Sequence, residues 1–278
     1  MKNKVWFITG ASKGLGLSLV KKLLTAGYSV AATSRNIQEL TRAVNTSSAA
    51  FLPLAMDLHS ETSVEQAISE TIKKFGNIDI VVNNAGYGLA GALEELTDAE
   101  ARANFDVNVF GALNVIRKAL PHLREQQSGH IYNIASIGGF TGAFPGFGIY
   151  CATKFALHGL SESLSEEVKP FNIKVTIVSP GYFRTNFLEA SSLNVPKHPI
   201  QAYKSVREMQ TLHQDVYNGN QAGDPDKASD VMIQLASSEN APLHLFLGSD
   251  AYQFAEQKIE AIQADMKSVE ALATATGF

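Results

Sequence analysis

The stretch Val5-Trp6-Phe7-Ile8-Thr9-Gly10-Ala11-Ser12-Lys13-Gly14-Leu15-Gly16 decides how this chain is read. A short apolar run enters a turn with three glycines, and residues 15–26 beyond it carry helical spacing. A strand that feeds a helix through such a turn leaves backbone N–H groups and a positive dipole end at the helix start, which suit a pyrophosphate. The spacing is G-x3-G-x-G, not the G-x-G-x-x-G dinucleotide fingerprint, so taken alone it equally describes a plain strand-to-helix turn.

Outward from the turn the same rhythm repeats. Apolar runs at 28–33, 51–55, 78–82, 130–134, 173–178 and 243–247 alternate with helical stretches at 36–45, 60–75, 99–120, 150–168, 224–237 and 251–273. The 99–120 helix is expected to end near Pro121. Strands that are nearly all apolar, alternating with helices, predict an α/β fold with a parallel sheet covered on both faces. Residues 186–223 break the rhythm: they are polar, helical in places and without a clear strand. Asp224 and Pro225 then open a helix as N-cap and first helical residue. The predicted organisation is one domain over 1–278, with a substrate lid at about 186–223 and a helical extension over about 250–278.

Composition narrows the function. The 278 residues are 45% hydrophobic and 18% charged, with a formal net charge of -4, which is unlike a disordered chain. No apolar stretch has the length of a membrane helix, and the four apolar residues before Gly10 are too few for a signal-peptide core. Mild acidity gives no general attraction to nucleic acid or to anionic lipid. A single cysteine, Cys151, cannot form an intrachain disulfide, which fits a reducing, cytoplasmic setting.

The end of the second strand carries the cofactor preference. Thr33-Ser34-Arg35 stands about 20 residues after the glycine turn, where an NAD site usually places an acid for the ribose 2′-OH. Arg35, with Lys13 as a second cation, suits a 2′-phosphate and so NADP(H); the plain alternative is a solvated surface arginine. Tyr150 and Lys154 lie four apart, on one helix face. An ammonium near a phenol stabilises the phenolate and lowers its pKa, which makes tyrosine usable as an acid–base group. Ser136 follows the fifth strand, where it can hold a substrate oxygen.

The segments 9–16, Asn83-Asn84-Ala85-Gly86, Asn108, Ser136, Tyr150/Lys154 and Pro180-Gly181 come in this order and at these intervals, and together they resemble the classical short-chain dehydrogenases/reductases, an NADP-preferring subgroup among them, over residues 1–248. The resemblance implies a doubly wound Rossmann fold with about seven parallel strands. It implies a catalytic set of Asn108, Ser136, Tyr150 and Lys154. Tyr150 would be general acid in ketone reduction and general base in alcohol oxidation. Ser136 would orient the substrate oxygen, Lys154 would lower the Tyr150 pKa and bind the nicotinamide ribose, and Asn108 would hold a water that relays protons. For NADP(H) it implies Gly10, Ser12, Lys13, Gly14, Leu15 and Gly16 at the turn, Arg35 at the second strand, and Asp57 and Leu58 at the adenine. Asn83, Ala85 and Gly86 would stand beside the adenosine ribose, and Pro180, Gly181, Phe183 and Thr185 beside the nicotinamide.

By family position Phe140, Phe144, Phe147, Tyr182, Phe187 and Leu188 face the substrate, and this apolar set suits a hydrophobic ketone or aldehyde. Three functions compete: an NADPH-dependent carbonyl reductase, a dehydrogenase of the same family working in the oxidative direction, and a non-catalytic NADP-binding sensor or scaffold. The third predicts a broken catalytic set, and here the set is intact. The family pattern also implies a homodimer or homotetramer.

The remaining features have plain readings. The histidines (59, 122, 130, 158, 198, 213, 244) show no metal-ligand spacing, so no metal is expected. The adjacent pairs Glu94-Glu95 and Glu166-Glu167 are expected to be solvated faces, and Cys151 a small packing residue. Asn45-Thr46-Ser47 matches a glycosylation sequon that stays idle without a secretory signal. The last helix, with Phe254, Ile259, Ile262, Met266 and Val269 on a broken stripe, is expected to pack or to meet a second subunit.

Overall fold

The computed structural model describes residues 4–278; the first three residues of the expected 1–278 domain lie outside the described residues. Its strands form because apolar, β-branched runs can be covered on both sides. Strand β1 (Val5–Ile8) is buried at all four positions, and its side chains alternate between two cores. Trp6 and Ile8 join one core with Leu19, Leu23, Leu40 and Met232, while Phe7 joins the other with Val64, Ile68, Val115 and Leu123. Full burial of each such side chain contributes about 1.5–3 kcal/mol, so two continuous cores hold the sheet.

Along the chain follow α1 (Gly14–Thr25), β2 (Ser29–Ser34), α2 (Ile37–Val44), β3 (Phe51–Ala55), α3 (Glu61–Phe75), β4 (Ile80–Asn83), β5 (Gly88–Leu89), α4 (Asp98–Phe105), α5 (Ala112–Gln126), β6 (Gly129–Ile134), α6 (Gly148–Val168), β7 (Ile173–Pro180), β8 (Leu193–Asn194), α7 (Lys204–Thr211), α8 (Pro225–Ala236), β9 (His244–Leu247) and α9 (Ser249–Ala273). Seven strands make one sheet in the order β3-β2-β1-β4-β6-β7-β9, every pair parallel. Helices α1, α2 and α8 contribute to one core, and α3, α5 and α6 to the other. This is the doubly wound Rossmann architecture. The strand order reverses at β1 and β4, which opens a crevice at their carboxyl ends.

Local sequence explains the helix ends. Asn36 caps α2 by accepting from the Glu39 N–H, and Ser60 caps α3 by accepting from Ser63. Thr97 and Glu100 form a reciprocal capping box on α4. Asp224 caps α8 with Pro225 behind it, as the sequence implies.

Three expectations are corrected. The 99–120 helix is not continuous: a π-helical turn at Asp106–Gly111 separates α4 from α5. Pro121 does not end α5, which continues to Gln126, because Leu123 just beyond it is fully buried in the core and offsets one lost backbone bond. The 186–223 segment does contain a strand, β8, which pairs with β5 in a small second sheet. Helix α9 packs only through its first turns: Ala251 and Ala255 are buried, while Ile259, Ile262, Met266 and Val269 are exposed. Among the described residues, no helix is long and apolar enough to cross a membrane.

Candidate active site

Loops at the carboxyl edge of the sheet enclose one cavity of about 1030 Å³. Its floor is the glycine turn. Gly10 has φ +65°, and a Cβ there would stand 2.6 Å from Ala85 Cα, so both conformation and space demand glycine. Asn84 locks the turn from the neighbouring strand: its Nδ2 donates to the Thr9 and Gly10 carbonyls, each at 2.9 Å. Helix α1 has no side-chain cap, and Gly14 and Leu15 at its start line the cavity. An uncapped helix start at the floor of a large cavity fits a nucleotide pyrophosphate. Toward β2 the wall is Arg35, Asp57 and Leu58; Arg35 is exposed and makes no ion pair among the described residues. No acid stands at the end of β2.

At the other end Ser136, Tyr150 and Lys154 share the cavity. Ser136 sits in extended conformation just past β6, and its Oγ accepts the Gly138 N–H at 3.0 Å, which holds the side chain still. Tyr150 and Lys154 lie on α6 and are almost completely buried. Burial pushes the Tyr150 phenol well above its ordinary value, and the Ser136 hydroxyl pulls it partly back. Desolvation lowers Lys154 from 10.5 to about 8. The ammonium donates to the Ile134 carbonyl at 2.8 Å and lies 5.8 Å from the centre of the Tyr150 ring.

Most of the residues singled out in the sequence line this one cavity: Gly10, Ser12, Lys13, Gly14, Leu15, Arg35, Asp57, Leu58, Ala85, Gly86, Ser136, Phe144, Phe147, Tyr150, Lys154, Pro180, Gly181, Tyr182, Phe183, Thr185, Phe187 and Leu188. Four do not. Gly16 lies under the turn, where a Cβ would meet the Gly10 carbonyl at 2.9 Å. Asn83 points the other way along β4, its Nδ2 donating to Asn133 Oδ1 at 2.8 Å; on a strand adjacent side chains face opposite sides, so Asn84 takes the cavity side. Asn108 stands behind the wall in the π turn, its Oδ1 accepting from Tyr87 N and its Nδ2 donating to Thr153 Oγ1, both at 3.0 Å. Phe140 turns away and packs edge-on against Phe246, 5.1 Å between ring centres. It is apolar, and a second small core beside α9 claims it.

The 186–223 segment covers the cavity as a packed layer. Glu95 is buried, contrary to the solvated face expected for Glu94-Glu95. It accepts from Ala92 N at 2.7 Å, Ile200 N at 2.6 Å and Arg207 Nη2 at 2.6 Å. Lys13 Nζ donates to the Ser191 carbonyl at 2.9 Å, so this cation also touches the cover. His213 Nδ1 donates to the Met209 carbonyl at 2.8 Å, which leaves Nε2 to accept the Tyr182 hydroxyl at 2.9 Å. The sequence reading assigned no site role to Asn84, Glu95, His213 or Gln221. Only the Asn-Asn pair carried a signal, in the alternation of strand side chains.

The family model for short chain dehydrogenase matches residues 4–195. Oxidoreductase BOA17 of Botryotinia fuckeliana is 37% identical over 264 residues, covering 94% of each chain. A 3-ketodihydrosphingosine reductase of Bacteroides thetaiotaomicron is 34% identical and covers 89% of each. The crystal structure of a short-chain dehydrogenase from Streptomyces avermitilis superposes with TM-score 0.91 at 34% identity over the full length of both chains. A 3-ketoacyl-(acyl-carrier-protein) reductase from Brucella melitensis, solved with NADH, has TM-score 0.73 at 26% identity, covering 88% of this chain and 96% of that one. ElxO, solved with NADP, has TM-score 0.73 at 25% identity, covering 90% and 99%.

Proposed function

The chain belongs to the short chain dehydrogenase family and is an oxidoreductase, and from that premise we propose that it is an NADPH-dependent carbonyl reductase acting on hydrophobic ketones or aldehydes. The observation that carries the reading is that Ser136, Tyr150 and Lys154 open into the same cavity as the glycine turn. Gly10 to Leu15 hold the cofactor pyrophosphate, and Arg35 takes the 2′-phosphate of NADP(H) in preference to a bare ribose hydroxyl. When bound, NADPH supplies the hydride.

The chain's own groups do the rest. Ser136 Oγ holds the substrate oxygen, and Tyr150 Oη gives it a proton. A phenol raised by burial stays protonated at neutral pH, which suits a proton donor to the substrate oxygen. Lys154, held near 8, is mostly charged at pH 7 and stabilises the phenolate left behind. Asn108 fixes the Tyr87 backbone beside the cavity and supports the proton route to solvent. Phe144, Phe147, Phe187 and Leu188 supply apolar wall, which excludes water and suits a hydrophobic substrate. The 186–223 segment acts as the lid, latched by Glu95. One buried cysteine fits the cytoplasm as location. We take the assembly to be a homodimer or homotetramer; the exposed Ile259, Ile262, Met266 and Val269 on α9 have the 3-4-3 spacing of a helix-pairing seam.

The test follows NADPH and, separately, NADH absorbance with a panel of aryl and alkyl ketones and aldehydes, for wild type and Tyr150→Phe. Turnover with NADPH in preference to NADH, falling by about 10²- to 10⁴-fold in the variant with NADPH affinity kept, is the expected result. Tight NADPH binding with no turnover of any carbonyl would overturn the proposal.

A further inference from the structure

We infer that Gln221 recognises a second polar group of the substrate, so that the preferred carbonyl compound carries a hydroxyl at a set distance from its ketone on an otherwise apolar body. This rests on the carbonyl-reductase reading of the cavity. Gln221 is 3% exposed and lines the cavity, yet neither its Oε1 nor its Nε2 has a hydrogen-bond partner among the described residues. Of the buried side-chain polar atoms left unpaired among the described residues, only those of Gln221 belong to a residue that lines the cavity. A carboxamide offers two donors and an acceptor, and native proteins pair such groups when they bury them. A ligand entering the cavity is the partner this one lacks.

The residue is also held in place. Its carbonyl accepts Arg184 Nε at 3.2 Å. Two residues on, the Gly223 N–H donates to the Tyr182 carbonyl at 3.0 Å, and the Gly223 carbonyl accepts the Arg184 N–H at 2.8 Å. This short bridge ties the loop to the segment after β7. Tyr182 and His213, which also line the cavity, already satisfy each other by a hydrogen bond. Phe144, Phe147 and Phe187, elsewhere on the same cavity wall, have no polar side-chain group to offer. Gln221 is therefore a fixed polar handle on an apolar wall, an arrangement that orients a substrate by one hydrogen-bonding group. A site built to pair a hydroxyl discriminates against the analogue that lacks it, because the protein group is then left unpaired.

The experiment uses the full chain with saturating NADPH and pairs of alkan-2-ones and their ω-hydroxy derivatives of increasing length. In wild type, kcat/KM at one chain length is expected to favour the hydroxyketone over its parent on the order of 10- to 100-fold. In Gln221→Leu the preference vanishes, the parent ketones react as well as before, and NADPH affinity stays within about 2-fold of wild type, since only substrate pairing is lost. The leucine variant also removes an unpaired buried amide, so it folds and melts no lower than wild type; Gln221→Met is the second variant. The inference is overturned if no length shows a preference in wild type, or if the preference survives in the variants. It is equally overturned if the variants weaken NADPH binding and leave ketone discrimination unchanged, which would assign Gln221 to the cofactor. If wild type turns over no ketone, the reductase reading fails separately. The same pairs then judge Gln221 by thermal shift of the NADPH-loaded proteins, where loss of the hydroxyketone shift in Gln221→Leu supports it and an equal shift rejects it.

Discussion

Replacing Glu95 by alanine should loosen the cover and lower stability together. The Glu95 side chain is fully buried, and Arg207 opposite it is 22% exposed. The carboxylate satisfies three donors at 2.6–2.7 Å: the Arg207 guanidinium and the backbone N–H groups of Ala92 and Ile200. Breaking a buried pair by removing one partner costs about 3–5 kcal/mol, because the remaining charge is left uncompensated. The partial exposure of Arg207 lets its head reach water, so the lower end, about 3 kcal/mol, is the working figure. For a chain of this size that is a fall in Tm of roughly 6–12 °C. Ile200 and Arg207 both belong to the 186–223 segment, so KM for bulky ketones should rise while NADPH affinity holds. The assay is thermal unfolding and steady-state kinetics of Glu95→Ala, Arg207→Met and the double variant. A coupling energy of about 1–3 kcal/mol is expected between them. If Glu95→Ala melts within about 1 °C of wild type and keeps its KM, the latch does not carry the load assigned to it, because a buried pair of this kind cannot be lost at no cost.

Two further predictions concern charge. Arg35→Ala should weaken NADPH on the order of 10- to 100-fold and leave NADH nearly unchanged, measured by cofactor-fluorescence titration; equal losses for the two cofactors would remove the 2′-phosphate role. Lys154 is held near 8 in the folded chain against 10.5 for the free side chain, so between those values the unfolded chain binds a proton that the folded chain does not. The cost of burying the charged ammonium, up to about 3 kcal/mol and fully present below pH 8, is therefore relieved as pH rises through that window, so stability climbs. Cys151, pushed up to about 11 by burial, opposes the rise above pH 9. Urea unfolding of wild type and Lys154→Met at pH 7.5, 8.5 and 9 should thus show wild type gaining on the variant, and parallel curves would refute the depressed lysine.

Much of the fold was legible because its signals are local. The seven apolar runs announced the seven strands within a residue or two, since a strand covered on both faces has to be apolar along its length. Asp224 and Pro225 marked a helix start because capping is settled by a few neighbouring residues. Where two local signals conflict with packing, the sequence misled. Pro121 signals a helix end, but the burial of Leu123 carries the helix past it. Phe140 is apolar enough for a substrate pocket, but the small core beside α9 takes it.

The chain by itself determined a parallel sheet covered on both faces, the glycine turn at the end of β1 and the order of Ser136, Tyr150 and Lys154, because period, turn chemistry and spacing are properties of neighbours along the chain. Only the tertiary structure decided that Asn84 rather than Asn83 faces the turn, that Glu95 is buried under Arg207, and that Gln221 stands unpaired in the cavity wall. Those facts depend on which distant segments meet. Glu95 and Arg207 are 112 residues apart in sequence and 2.6 Å apart in space, and no local pattern encodes a contact of that kind.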